Sequence, residues 1–219
     1  TSHDVVGIFN DTPAIARAEW QAHCGPAGTL VQADLTDHAA TTSVIQAIIA
    51  ERGAASVLVN CAGITNDATF RKMRFEQWEQ VIRTNLIALF STTQPVFSAM
   101  CEAGAGVVIN IGSVNGKRGQ AGQCNYAAAK AGLHGFTMSL AREGARYGVR
   151  AVTVSPGYTQ TPMIDAIRED VRDAIRLQIP MQRFADPAEI AATVAFLASP
   201  GAAYITGADI SVNGGLHIG

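Results

Sequence analysis

Lysine is scarce in this 219-residue chain, occurring only as Lys72, Lys117 and Lys130, and the formal net charge is −2. With the arginines scattered rather than gathered into a stripe, there is no basic field to hold a nucleic-acid backbone. The four cysteines, at 24, 61, 101 and 124, have no paired metal-ligand spacing, and the five histidines form no His-x-x-x-His pattern. No metal site is expected, and reduced thiols in a cytoplasmic protein are the natural reading. No apolar run approaches the ~20 residues of a membrane span, and the opening Thr1-Ser2-His3-Asp4 carries no signal-peptide pattern.

Apolar residues are plentiful. At 48% hydrophobic the chain can bury one sizeable core, and no linker, repeat or composition shift divides residues 1–219 into two domains. Strand and helix signals alternate: strands over 4–9, 29–33, 56–60, 106–111, 149–154 and 208–212, and helices over 13–24, 38–52, 75–102, 124–147 and 187–198, with Pro95 expected to kink the third. This alternation implies an α/β fold, a doubly wound, Rossmann-type parallel sheet with helices on both faces.

The densest chemistry lies in Asn125-Tyr126-Ala127-Ala128-Ala129-Lys130. On a helix, Tyr126 and Lys130 share a face, and a cation near a phenol favours its ionised form, easing proton release. The alternative for the pair is a packed Tyr and a solvated Lys. Upstream, Ser113 closes the apolar strand Gly106–Ile111, where a hydroxyl at the carboxyl end of a parallel strand faces the ligand crevice. Val57-Leu58-Val59-Asn60 ends in the small-residue turn Cys61-Ala62-Gly63, and Asn85 lies in a long helical segment.

Together these residues resemble the short-chain dehydrogenase/reductase family from about residue 4 to the end. The resemblance implies a catalytic tetrad of Asn85, Ser113, Tyr126 and Lys130, with Lys130 lowering the tyrosine pKa and holding the nicotinamide ribose, and Asn85 fixing a relay water. It also implies cofactor contacts from Asp34, Leu35, Asn60, Ala62, Gly63, Tyr126, Lys130, Pro156, Gly157 and Thr161. For Asp34 the competing role is local, since the helix beginning near residue 38 needs a cap, although Thr36 and Asp37 can supply one. Family members that select NADH usually carry an acid at the tip of the second strand. Here the tip is Phe9-Asn10, which points to NADPH, while Asp11 leaves NADH open and no arginine is obviously placed for the extra phosphate.

Two departures accompany the match: Cys61 replaces an asparagine, and Gly112 a serine. The family's Gly-rich turn, with the strand before it and most of the helix after it, is not recognisable. Those parts would occupy roughly 25 to 30 residues, so an N-terminally incomplete domain is expected, with two strands left without a neighbour. Within the family, segments 63–73, 114–126, 131–138 and 213–219 resemble acetoacetyl-CoA reductases of polyhydroxybutyrate synthesis, with 3-oxoacyl-acyl carrier protein reductases next. The implied reaction is reduction of a 3-oxoacyl thioester to its (R)-3-hydroxy form, by a homotetramer. Gln120, Gln123 and Tyr158 are the substrate-side candidates, and a non-catalytic partner subunit is the alternative to an enzyme.

Overall fold

The computed structural model describes residues 4–11, 13–165 and 167–219; the opening Thr1-Ser2-His3, together with Thr12 and Ala166, lies outside the described residues. Six strands are present among the described residues: β1 (Val5–Phe9), β2 (Gly28–Gln32), β3 (Val57–Asn60), β4 (Gly106–Ile111), β5 (Val149–Pro156) and β6 (Asp209–Val212). All pairings are parallel, but they form two sheets, β1-β2 and β3-β4-β5-β6.

The helices are α1 (Ala14–Cys24), α2 (His38–Arg52), α3 (Phe75–Ile82), α4 (Ala88–Ala103), α5 (Val114–Arg118), α6 (Cys124–Gly144), α7 (Pro162–Asp165), α8 (Glu169–Gln178) and α9 (Pro187–Ala198). Local chemistry sets several ends. Asp37 accepts from the Ala40 N–H at the start of α2, Asp186 and Glu189 form a capping box with Pro187 at the first turn of α9, and α4 stops at Gly104 with φ of 72°. The expected single helix over 75–102 is interrupted not by a kink at Pro95, which lies buried inside α4, but by a π-helical turn over Arg83–Ile87. α5, α7 and α8 have no counterpart in the periodicity reading.

β4 and β5 are buried on both faces, as near-continuous apolar runs require. On one face Val108, Val149 and Ala151 pack with Ile45, Val96, Met100 and Ala141 of α2, α4 and α6. On the other, Ile109, Val152 and Val154 pack against Leu197 of α9. A polar row crosses the sheet in register, Asn60 opposite Asn110 and Asn110 opposite Thr153. Asn60 donates to Asn110 at 2.8 Å, Asn110 to Thr137 at 2.8 Å, and Thr153 to Thr137 at 2.9 Å. A connected buried network of this kind fixes register, because a slip would orphan each amide.

Candidate active site

The carboxyl ends of β3 and β4 bring the expected tetrad together. Lys130, on α6, is 5% exposed and its Nζ donates to the Ile111 carbonyl at the end of β4 at 2.7 Å. A Cβ built on Gly63 would lie 3.5 Å from both Lys130 Nζ and Asn85 Oδ1, so this turn passes directly over both groups. Asn85 is 1% exposed. Its Oδ1 accepts from the Ile64 N–H at 2.8 Å, and its Nδ2 donates to the Ile64 carbonyl at 2.9 Å. The π-helical turn carries Asn85, a placement typical of functional sites, and its carboxamide holds the turn after β3 in place.

Tyr126 lies a helical turn before Lys130, whose Nζ is 5.8 Å from the phenol ring centroid, and Ser113 is near enough to the phenol to pull its pKa down. Ser113 Oγ accepts from the Asn115 N–H at 3.1 Å, capping α5. The two titratable groups depart from the expected pattern. Burial raises the Tyr126 pKa above the usual phenol value, with Ser113 pulling it back and Asp67 and Cys61 adding to the rise. Burial also lowers Lys130 to about 8, partly offset by Cys61. The net direction at Tyr126 is therefore upward, set first by desolvation of the phenol.

The cofactor candidates divide. Leu35, Asn60 and Ala62 line one cleft, of about 1020 Å³, that runs between β1 and β3. Asn60 cannot offer its side chain there, because its amide donates to Thr93 and Asn110 and its oxygen accepts from Thr92. Asp34 does not cap α2, which Asp37 does; its Oδ1 accepts from the Thr36 N–H and hydroxyl, which hold the carboxyl below its usual range. Pro156 ends β5. Gly157 has no room for a side chain, since a Cβ would come within 2.8 Å of Asn213 Cα, and Thr161 opens α7 with its carbonyl accepting from Ile164 and Asp165.

Among the substrate candidates, Gln120 and Gln123 belong to a polar chain linked to Ser113's own helix. Gln123 donates to Asp67 at 2.8 Å and accepts from Asn115, while Arg118 donates to Asn115 and to Gln120. Tyr158 does not join them: it packs against Phe184, ring centroids 6.3 Å apart, beside the apolar cluster of Ile164 and Ile179, and borders a separate cleft with Met181 and Arg183.

Asp67, Asn115 and Arg118 escaped the sequence reading, although all three lie within the segments that carried the resemblance. Arg17 escaped as well. Its guanidinium lies 4.9 Å from the Phe9 ring centroid at the tip of β1, and its buried Nε has no partner among the described residues. No group of His, Cys, Asp or Glu suited to a metal occurs among the described residues, and no described helix is long and apolar enough to cross a membrane.

Residues 5–217 match the family model described as Enoyl-(Acyl carrier protein) reductase. An acetoacetyl-CoA reductase of an Acinetobacter species is 57% identical over 86% of this chain and 76% of its own length. A second, from Allochromatium vinosum, is 48% identical over 98% of this chain and 88% of its own. A 3-oxoacyl-acyl carrier protein reductase of Vibrio cholerae is 45% identical over 90% of this chain and 80% of its own. With the tetrad residues gathered at one strand end and these likenesses running along most of the sequence, the chain belongs to the short-chain dehydrogenase/reductase family.

Proposed function

We propose that the chain reduces the C3 carbonyl of acetoacetyl-CoA to (R)-3-hydroxybutyryl-CoA with NADPH, supplying the monomer for polyhydroxybutyrate synthesis. The observation that carries this reading is the convergence of Ser113, Tyr126 and buried Lys130 at the end of β4, beside Gly63 and Asn85. The resemblance to acetoacetyl-CoA reductases chooses the substrate.

The donor set suits the nicotinamide half of the cofactor. Lys130 spends one proton on Ile111, leaving two for ribose hydroxyls. When bound, the nicotinamide supplies the hydride. Ser113 hydrogen-bonds the substrate carbonyl oxygen, and Tyr126 passes its phenolic proton to that oxygen as negative charge develops there. Because burial raises the phenol pKa, the proton is in place at neutral pH. Asn85 acts as a positioning residue, holding the turn that closes over Lys130. The absence of an acid at Phe9-Asn10 and the position of Arg17 support NADPH over NADH. Exposed Ile87, Phe90 and Met138, on and beside α4 and α6, support the homotetramer, and four free cysteines support a reducing, cytoplasmic setting.

The test is NADPH oxidation with acetoacetyl-CoA, beside acetoacetyl-acyl carrier protein and beside Tyr126→Phe. Turnover favouring the CoA thioester, lost by roughly a hundredfold or more in Tyr126→Phe, is expected. Arg17→Ala should narrow the preference for NADPH over NADH. Preference for the carrier-protein thioester would transfer the assignment to fatty-acid elongation, and no turnover by folded chain would sink it.

A further inference from the structure

Asn125 precedes Tyr126 at the start of α6 and is 0% exposed. Its oxygen and both of its amide protons are engaged. Oδ1 accepts from the Tyr126 N–H at 2.8 Å, and Nδ2 donates to the Asn66 carbonyl at 3.0 Å and to the Gln77 carbonyl at 3.1 Å. The first N–H groups of a helix have no intrahelical acceptor, and Gln123 at the N-cap of α6 forms no side-chain cap. Gln123 is turned instead to Asp67 and Asn115. The Asn125 amide therefore closes the backbone at Tyr126 from inside the helix, while its other end reaches two neighbouring segments.

Those segments converge on the catalytic end. Asn66 lies in the turn after β3, which Asn85 already holds through Ile64. The Asn66 side chain is held from α3, accepting from Gln77 at 2.8 Å and donating to Gln80 at 2.9 Å. The next residue, Asp67, is fixed by Gln123 at 2.8 Å, and the Ala68 N–H donates to the Gly122 carbonyl at 3.0 Å. Residues 64–68 are thus fastened by Asn85 at one end and by the start of α6 at the other. Of the side chains that make these ties, only Asn125 adjoins Tyr126 in the chain.

From this arrangement we infer that Asn125 is a positioning residue for proton transfer: its three hydrogen bonds fix the first turn of α6 against α3 and the turn after β3, and so set where the Tyr126 phenol stands. The inference rests on the reading of Tyr126 as the proton donor. An alanine at this position would leave the Tyr126 N–H and the Asn66 carbonyl without this partner where water does not reach them. A displacement of about 1 Å at the reacting group is enough to slow a step roughly a hundredfold. The charged and titratable groups around the phenol are Lys130, Asp67 and Cys61. Burial and Asp67 both hold the phenol pKa up, and Asn125 secures the segment that carries Asp67, so loosening that segment lowers the pKa toward the ordinary phenol value.

The test compares the whole chain with Asn125→Ala and with Thr137→Val. Thr137 is equally buried on α6, bonded to Asn110 and Thr153, but about three turns beyond Tyr126. Two readouts do not depend on the folded fraction of a sample. One is the solvent deuterium isotope effect on kcat with acetoacetyl-CoA and NADPH. The other is the ionisation of Tyr126 followed by ultraviolet absorbance, taken as the difference from Tyr126→Phe in the same background. For Asn125→Ala the expected result is kcat lower by roughly tenfold or more with KM values within about twofold, a larger isotope effect, and a phenol that ionises at lower pH than in the parent. Thr137→Val is expected to match the parent in both readouts. An unchanged isotope effect and phenol titration in Asn125→Ala would overturn the proposal and leave Asn125 a structural role only. The same changes in Thr137→Val would equally overturn it, because any loosening of α6 would then produce them. Asn125→Ser, which leaves a smaller gap and a hydroxyl, is read by the same criteria where the alanine variant does not fold. A folded parent that does not reduce acetoacetyl-CoA would sink the substrate reading, and the phenol titration would then decide the proposal alone.

Discussion

Lys130 carries the largest electrostatic penalty in the site. Its ammonium keeps one carbonyl partner, Ile111, and burial pulls its pKa from 10.5 down to about 8. A shift of that size corresponds to roughly 3 kcal/mol of differential stabilisation between charged and neutral forms. The folded pKa lies below the unfolded one, so the penalty is complete below pH 8, fades as pH rises through 8 toward 10.5, and is absent above it. Replacing the lysine by an apolar residue removes the penalty but leaves the Ile111 carbonyl without its partner, at about 1 kcal/mol. Lys130→Met is therefore expected to abolish turnover yet raise stability by about 2 kcal/mol at pH 7, the gain shrinking by pH 10. Denaturant unfolding at the two pH values measures this. Lysine side-chain NMR provides a second measurement, since the chain has only three lysines to assign. One ammonium titrating near 8 is the expected signature, and three ordinary lysines would contradict it.

At the scale of elements, the site depends on α5 lying close against α6. A Cβ on Gly116 would come within 2.8 Å of Lys130 Cβ and 2.9 Å of its backbone carbon, so that position accepts no side chain without moving the lysine's own helix. The clash is with backbone and with a Cβ fixed to it, neither of which can swing aside. Gly116→Ala is expected to cost about 1–3 kcal/mol of stability by overpacking and to lower kcat at least tenfold by displacing Lys130 and Ser113. If thermal unfolding and turnover both match the parent, the close approach has no consequence for the site. None of this is legible in the sequence, where Val114-Asn115-Gly116-Lys117-Arg118 reads as loop. What the sequence does carry is local. The Tyr126–Lys130 spacing fixes a shared helix face, and the run Gly106–Ile111 identifies a strand buried on both sides. The direction of the Tyr126 pKa could not be read that way, because it follows from how much chain surrounds the phenol and not from its distance to Lys130 along the helix. The π-helical turn that seats Asn85 has no periodic signal either, and α8, rich in charge, shows only the short set Val171, Ala174 and Ile175 at helical spacing.

Across the whole molecule, stability is divided unevenly between the two sheets. β4 and β5 bury both faces and share the longest ladder, six residue pairs from Gly106 opposite Val149 to Ile111 opposite Val154. β1 has no fully buried residue, α1 beside it has none, and β2 is no better covered. Such a region opens at a lower free energy than the core, so its amides exchange through a local event rather than through global unfolding. The main polar tie between the small sheet and α2 is Arg52, bonded to Asp4 at the start of β1 and to Thr29 in β2. This pair is partly exposed, with the Asp4 side chain 63% accessible, so its contribution is limited to about 1 kcal/mol. Arg52→Ala should accordingly speed amide exchange in β1 and β2 by about fivefold, the factor that 1 kcal/mol represents in an opening equilibrium, while β4 and β5 keep their rates. Exchange followed residue by residue under native conditions measures both regions in one experiment. A uniform change across all six strands would mean that the two sheets unfold as one cooperative unit, and the cleft between them would then be a fixed feature of the core rather than the seam between a mobile and a rigid half.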